Sequence, residues 1–223
     1  MDVISGTFPV PGAITSQMRD ATHATEEDLA DSVLMRRTAA GDRDAFTTIY
    51  QRHHAMVYRF ARLMTGSSSA AEDIVQEVFL VLMRDASRYN PARAALPSYL
   101  YGVARHQTRR RLARDRQFVA FDGGCGDAAP YVTEDDVTAT LERRQVLQRL
   151  RRAILSLPRK YREVIVLCDL QDVSYNDAAA ALGCAVGTIR SRLHRARNLL
   201  TQKMGGAMSS EDDHQRMSMR CAV

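Results

Sequence analysis

The chain has 223 residues and a formal net charge of +5, enough for one domain of moderate size or two small ones. No apolar run reaches bilayer length, and a start with Asp2 and no basic segment does not read as a secretory leader, so a cytoplasmic protein is expected. The cysteines Cys125, Cys168, Cys184 and Cys221 are scattered without CxxC or paired Cys/His spacing, which argues against structural zinc and a disulfide framework and leaves no metal or other cofactor implied.

Residues 1–25 mix Gly, Pro, Ser, Thr and Ala without periodicity and read as a flexible arm. A helical pattern begins at Glu26 with Leu29, Val33 and Leu34, and Gly41 breaks it. Asp42 then caps a helix whose apolar face holds Phe46, Ile49, Tyr50, Val57, Phe60 and Leu63. His53 and His54 lie on that helix without a carboxylate or cysteine at ligand spacing, and are expected to be surface or partly buried histidines rather than metal ligands.

Ser69 with Glu72 reads as a capping box. It opens a helix with Ile74, Val75, Val78, Phe79 and Leu82 on an inner face and Asp73, Gln76, Glu77, Leu80 and Arg84 on an outer one. That outer face is either solvated or the seat of a basic partner surface. A loop from Arg88 to Pro97 follows, with Pro97 suited to the first position of the next helix. This helix carries Tyr99, Leu100, Tyr101, Val103 and Ala104, then six arginines between Arg105 and Arg116 against Asp115. Cations so crowded repel one another unless a polyanion neutralises them. The two tyrosines suit either the core or base stacking.

Residues 117–136, rich in Gly and acids, read as a linker, and a helix from about Val137 through Leu155 leads into the most informative stretch. Pro158 opens a helix, Ser174 with Asp177 caps a short alanine-rich one, and Gly183 stops it. The helix from Val186 has an apolar stripe of Ile189, Leu193, Ala196 and Leu200, with Arg190, Arg192, His194, Arg195 and Arg197 elsewhere around it. This is the outline of a helix-turn-helix whose last helix has an apolar back and guanidinium groups for phosphates and guanine edges. After Lys203 the chain turns to Gly, Ser, Asp and Met and should fray.

The segments AAEDIVQEVFLVL (70–82) and YNPARAALPSYLYGVAR (89–105) resemble region 2 of a bacterial RNA polymerase sigma factor of the extracytoplasmic-function (ECF) type. The stretch 157–200, with LP, LGC and VGTIRSRLHRAR in order, resembles region 4 of the same family. The resemblance implies an all-α protein of two small helical domains, a region 2 bundle at 26–116 and a region 4 helix-turn-helix at 137–204. A flexible linker at 117–136 joins them, between the arm at 1–25 and a flexible tail at 205–223. It also implies a non-enzymatic subunit whose partners are promoter DNA and core RNA polymerase, at the clamp helices of the largest subunit and the flap of the second-largest. Family members are often held by an anti-sigma factor.

By the same resemblance Arg190, Ser191, His194 and Arg195 face the minus-thirty-five element. Arg105, His106, Arg109 and Arg110 serve the minus-ten element, and Asp73, Gln76 and Glu77 dock on the clamp helices. His106 stands where many members carry Asn, and Ala185 where Ser or Pro commonly begins the recognition helix, a cap loss of about 0.5–2 kcal/mol unless Thr188 or a phosphate replaces it. The other reading of the chain is a stand-alone helix-turn-helix regulator, which has little need of the second arginine cluster.

Overall fold

The computed structural model describes residues 26–122 and 141–220, and the expected arm, most of the linker and the first residues of the helix expected from Val137 lie outside them. Among the described residues the regular structure is helical throughout. The first unit comprises α1 (Glu26–Ala39), α2 (Arg43–Thr65), α3 (Ser68–Arg84), a single 3-10 turn at Ala86–Arg88 and α4 (Leu96–Asp122). The second comprises α5 (Leu141–Leu155), α6 (Arg159–Val164), a π-turn at Ile165–Asp169, α7 (Tyr175–Leu182) and α8 (Val186–Arg220).

In the first unit the boundaries follow local chemistry. The Asp42 carboxylate accepts from the Asp44 and Ala45 amides at 2.9 and 3.0 Å, and these bonds, with the neighbouring Arg37, hold its pKa below the usual carboxylate range. Gly66, in the left-handed region at φ 79, ends α2. The cap of α3 is Ser67, whose Oγ accepts from the Ala70 amide at 3.3 Å, rather than Ser69. The Gly66 turn delivers the chain to helical geometry two residues early, so Ser69 falls within the first turn. Pro97 likewise occupies the second position of α4, because Leu96 is already helical.

The core of this unit joins Ile49, Val57, Phe60 and Met64 of α2 to Ile74, Val78 and Leu82 of α3 and Leu96, Leu100 and Ala104 of α4. The expected inner face of α3 is buried throughout. His53 departs from expectation. It is buried, with its Nε2 2.7 Å from Asp31 Oδ2, while Arg52 donates to Asp31 Oδ1 at 2.5 Å. The partner carboxylate lies 22 residues upstream on α1, beyond any spacing that a helical reading inspects.

In the second unit Pro158 sits at the N-cap, one position before the expected one. The helix it precedes widens from α6 into the π-turn, where the Leu170 amide donates to the Ile165 carbonyl at 3.2 Å. Ser174 caps α7 through the Asp177 amide at 3.1 Å, and Gly183 ends it at φ 60. Ala185 has no acceptor side chain, but its carbonyl takes the Thr188 and Ile189 amides and so begins α8. Ile189, Leu193 and Ala196 are buried and Leu200 half-buried, the stripe expected of the last helix.

Three departures concern extent. Helix α4 runs to Asp122, into the stretch expected to be linker, and α8 continues to Arg220 through the expected tail. Neither stretch contains a proline, and the two glycines at 205 and 206 cost a helix only about 1 kcal/mol each. The third is larger. The two units expected as separate modules pack on each other and share one apolar core, with α4 against α7 and the end of α2 against α5 and α6. Arg162 of α6 donates to the Met64 carbonyl of α2 at 2.7 Å and to the Leu155 and Leu157 carbonyls, bracing that second seam.

Removing the Ser174 cap by Ser174→Ala should lower stability by about 1 kcal/mol, read as a shift in urea midpoint at constant slope. Cys168 is half-buried, and burial pushes its thiol up to about 12. Peptide mapping after brief alkylation at neutral pH should therefore find Cys168 largely unmodified in the folded chain and fully modified in denaturant.

Candidate nucleic-acid interface

Helix α8 divides its surface by chemistry. Its buried stripe packs on α6 and α7, which leaves Arg190, Ser191, His194 and Arg195 together on the exposed side. Positions 190, 191, 194 and 195 are spaced by one, three and one, so they form a single ridge over two turns. Within the ridge, the Ser191 hydroxyl donates to the Thr188 carbonyl at 3.1 Å and the His194 ring lies 3.3 Å from Asn198 Nδ2. Arg195 and the Lys160 ammonium, Arg195 foremost, favour the charged form of the Tyr161 hydroxyl of α6 and lower its pKa. Lys160 Nζ also sits 5.0 Å over the Tyr161 ring, so α6 adds a second cation beside the ridge.

Arg197 differs from the ridge residues. It grips both oxygens of Asp169 at 2.6 and 2.9 Å, a bidentate pair that keeps the guanidinium firmly charged and ties α8 to the π-turn. Its charge is therefore spent inside the fold.

The arginines of α4 divide in the same way. His106, Arg109 and Arg110 are exposed. Arg105 instead turns toward the second unit, where it donates to Glu163 Oε2 at 3.1 Å and to the Leu182 carbonyl at 3.0 Å. Arg111 pairs with Asp73 at 2.7 Å and Asp115 at 3.1 Å. Part of the crowded positive charge is thus neutralised within the chain, while Arg109 and Arg110 stay exposed on α4. Beside it runs an open groove of about 480 Å³, walled by Val81, Tyr99 and Val103 and rimmed by Arg84, His106 and Arg110. Tyr99 stacks edge-on with Tyr89 at 5.5 Å, whereas Tyr101 is buried among core residues and bonded to Gln171. Of the two tyrosines only Tyr99 retains a partly accessible ring.

The third surface is the outer face of α3. Asp73, Gln76 and Glu77 are exposed there, followed by Leu80 and Met83, which keep more than half of their surface in water. Asp73, Gln76 and Glu77 share a shallow hollow of about 200 Å³ with Gln107, Arg111 and Arg114 of α4. The expected docking residues therefore lie together, with Asp73 already held by Arg111. Met83 belongs to this face without having been singled out from the sequence. Its i+3 spacing from Leu80 was the available signal.

The profile described as Sigma-70 region 2 matches residues 49–118, and that described as Sigma-70, region 4, matches residues 147–200. The ECF RNA polymerase sigma factor SigM of Mycobacterium tuberculosis is 33% identical, over 79% of this chain and 85% of that protein. The ECF RNA polymerase sigma factor EcfG of Rhodopseudomonas palustris is 34% identical, over 64% of this chain and 75% of that protein. Among solved structures, the sigma factor RpoE of Bartonella quintana, in complex with the anti-sigma factor NepR, superposes with a TM-score of 0.61. It is 26% identical and covers 71% of this chain and 95% of that one.

Among the described residues no helix is long and apolar enough to cross a membrane. A match to region 2 that precedes a match to region 4 disfavours a stand-alone helix-turn-helix regulator. With both regions in order and a relative matched along most of its length, the chain belongs to the ECF RNA polymerase sigma factors, the initiation factors that bind core RNA polymerase and direct it to promoters.

Proposed function

We propose that this sigma factor reads the minus-thirty-five element through Arg190, Ser191, His194 and Arg195 of α8. The observation that carries the assignment is the division of that helix, with Ile189, Leu193 and Ala196 buried behind a ridge of four exposed polar side chains. A major groove admits one helix, and the guanidinium forks on its outer side match the O6 and N7 acceptors of guanine. Lys160, Tyr161 and Arg195 suit the flanking phosphates, which position the helix without specifying sequence.

The minus-ten element falls to Arg105, His106, Arg109 and Arg110 of α4, with the groove beside Tyr99 for an unstacked base. The outer face of α3, Asp73, Gln76 and Glu77 with Leu80 and Met83, docks on the clamp helices of the largest polymerase subunit, and the second unit touches the flap of the second-largest. The working division is residues 26–116 for polymerase docking and minus-ten binding and residues 137–204 for minus-thirty-five binding, with 1–25, 117–136 and 205–223 as arm, linker and tail. The chain acts in the cytoplasm, where polymerase and promoter are found, as a specificity subunit without catalytic chemistry. The anti-sigma factor bound to the Bartonella relative supports control of this chain by a protein of that kind.

Neither unit offers a large DNA surface, so affinity for free promoter is low. Polymerase supplies the remainder by holding both units on one duplex at high effective concentration.

Arg190→Ala or Arg195→Ala should each lose about 1–3 kcal/mol of discrimination at the upstream element if the side chain makes a bidentate base contact. Initiation at wild-type level and preference across a promoter panel would remove the recognition-helix assignment. Gln76→Ala combined with Glu77→Arg should reduce co-purification with core polymerase while the circular dichroism melt stays in place. Undiminished recovery with core would count against the docking face.

A further inference from the structure

The groove between α3 and α4 brings an apolar wall, a cationic rim and a buried amide within reach of one small molecule. Its volume of about 480 Å³ falls within the ordinary range of small-ligand clefts. The walls are Val81 of α3, Ala94 of the loop before α4, and Tyr99 and Val103 of α4. Tyr99 keeps a partly accessible ring, braced edge-on by Tyr89 at 5.5 Å, and the Tyr89 hydroxyl donates to the Ala94 carbonyl at 3.2 Å. Aromatic wall and loop are therefore fixed in advance, which suits stacking with a flat heterocycle.

Arg84, His106 and Arg110 stand at the rim. Arg84 already donates to Asp85 at 3.0 Å, and Arg88 lies 3.6 Å from the same carboxylate. His106 and Arg110 are exposed and have no carboxylate partner among the described residues. They are four residues apart on α4, so they stand one above the other on the same side and can converge on one phosphate group.

Gln107 adds a buried polar group to the same place. It is only 9% exposed, it lines the groove, and no hydrogen bond joins its amide to another described residue. Gln107 also borders the hollow that holds Asp73 and Arg111, but those two are already paired with each other. A buried amide left unmet is costly, and an apolar residue would have filled the position without that cost. The amide presents one donor and one acceptor side by side. Those match the N6 donor and N7 acceptor of adenine bidentately, whereas the same edge of guanine offers two acceptors and pyrimidines have no such edge.

We propose that this groove is a site for an adenine mononucleotide, with the ring against Tyr99 and Val103, the Gln107 amide on the adenine edge and the phosphate on His106 and Arg110. Free nucleotide bound there excludes the unstacked minus-ten base, which makes initiation by this factor sensitive to nucleotide level. The exclusion rests on the assignment of the groove to the minus-ten strand. Nucleotide binding itself does not.

Isothermal titration calorimetry of the full chain with adenosine monophosphate should give one saturable site. Guanosine, cytidine and uridine monophosphates, and adenosine without its phosphate, should each bind about tenfold more weakly, the loss expected of one bidentate or charge-assisted contact. Gln107→Leu nearly keeps the side-chain volume and removes an unmet amide, so its circular dichroism should be that of the wild type. It should level the four nucleotides while leaving the preference for phosphate. His106→Ala with Arg110→Ala should do the reverse, weakening every nucleotide about tenfold with the adenine preference intact. Absence of saturable binding, or equal binding of all four nucleotides, would overturn the site, and a Gln107→Leu chain that still prefers adenine would overturn its role as reader.

Fluorescence anisotropy with a labelled random-sequence single-stranded DNA pool separates free nucleotide from strand. Adenosine monophosphate should displace the pool from the wild type. Nucleotide binding without displacement would overturn the exclusion and remove the minus-ten strand from this groove. Absent nucleotide binding, with the pool released by Tyr99→Ala, would discard the nucleotide site and leave the strand in place.

Discussion

Much of this molecule turns on where its arginine charge is met by carboxylates. The Arg105–Glu163 pair joins the two helical units at a point where the acid is almost out of water. A buried pair of this kind contributes little net stability relative to an apolar filling, because both charges lose hydration. Removal of one partner, however, strands the other and costs about 3–5 kcal/mol. Its value lies in registration: it makes one docking of α4 against α6 and α7 far better than neighbouring ones. The hydrogen bonds of Ser98 and Tyr101 along the same face reinforce that choice.

The same logic sorts the remaining cations. Arg197 is held by Asp169, Arg111 by Asp73 and Asp115, and Arg52 by Asp31. These side chains brace helices against each other. Arg190 and Arg195 on α8 and Arg109 and Arg110 on α4 remain in solvent. These are two exposed basic ridges, each on a helix with a buried apolar back, which suits the proposed contacts with DNA at two places. The two ridges lie on different units, α8 in the second and α4 in the first.

The buried polar groups have a second consequence. Asp31 and His53 lie deep between α1 and α2, paired with each other and with Arg52, so α1 is attached by charge as well as by the apolar Met35. Such a polar anchor tolerates little substitution, since any apolar replacement leaves the other partner buried and unmet. The outer face of α3 shows the opposite condition. Leu80 and Met83 remain wet beside Glu77, a mixture of apolar and acidic groups suited to a partner with complementary basic residues.

The linear sequence by itself determined the helices, most of their caps and the identity of their buried faces. These depend on residues three or four apart, as with Ile189 and Leu193, or on a cap and the amides just beyond it, as with Ser174 and Asp177. It also brought the ridge of α8 and the proposed docking residues of α3 into view, because each set lies on a single helix. Tertiary structure alone decided which cations were free. Asp31 meets His53 across 22 residues, Arg111 meets Asp73 across 38, and Arg105 meets Glu163 across 58. No periodicity links positions so far apart, since the loops and packing that bring them together are set by the whole fold. For the same reason the closeness of the two units could not be read from their separate helical patterns: it rests on donors of α4 and acceptors of α6 and α7 that become neighbours only after both have folded.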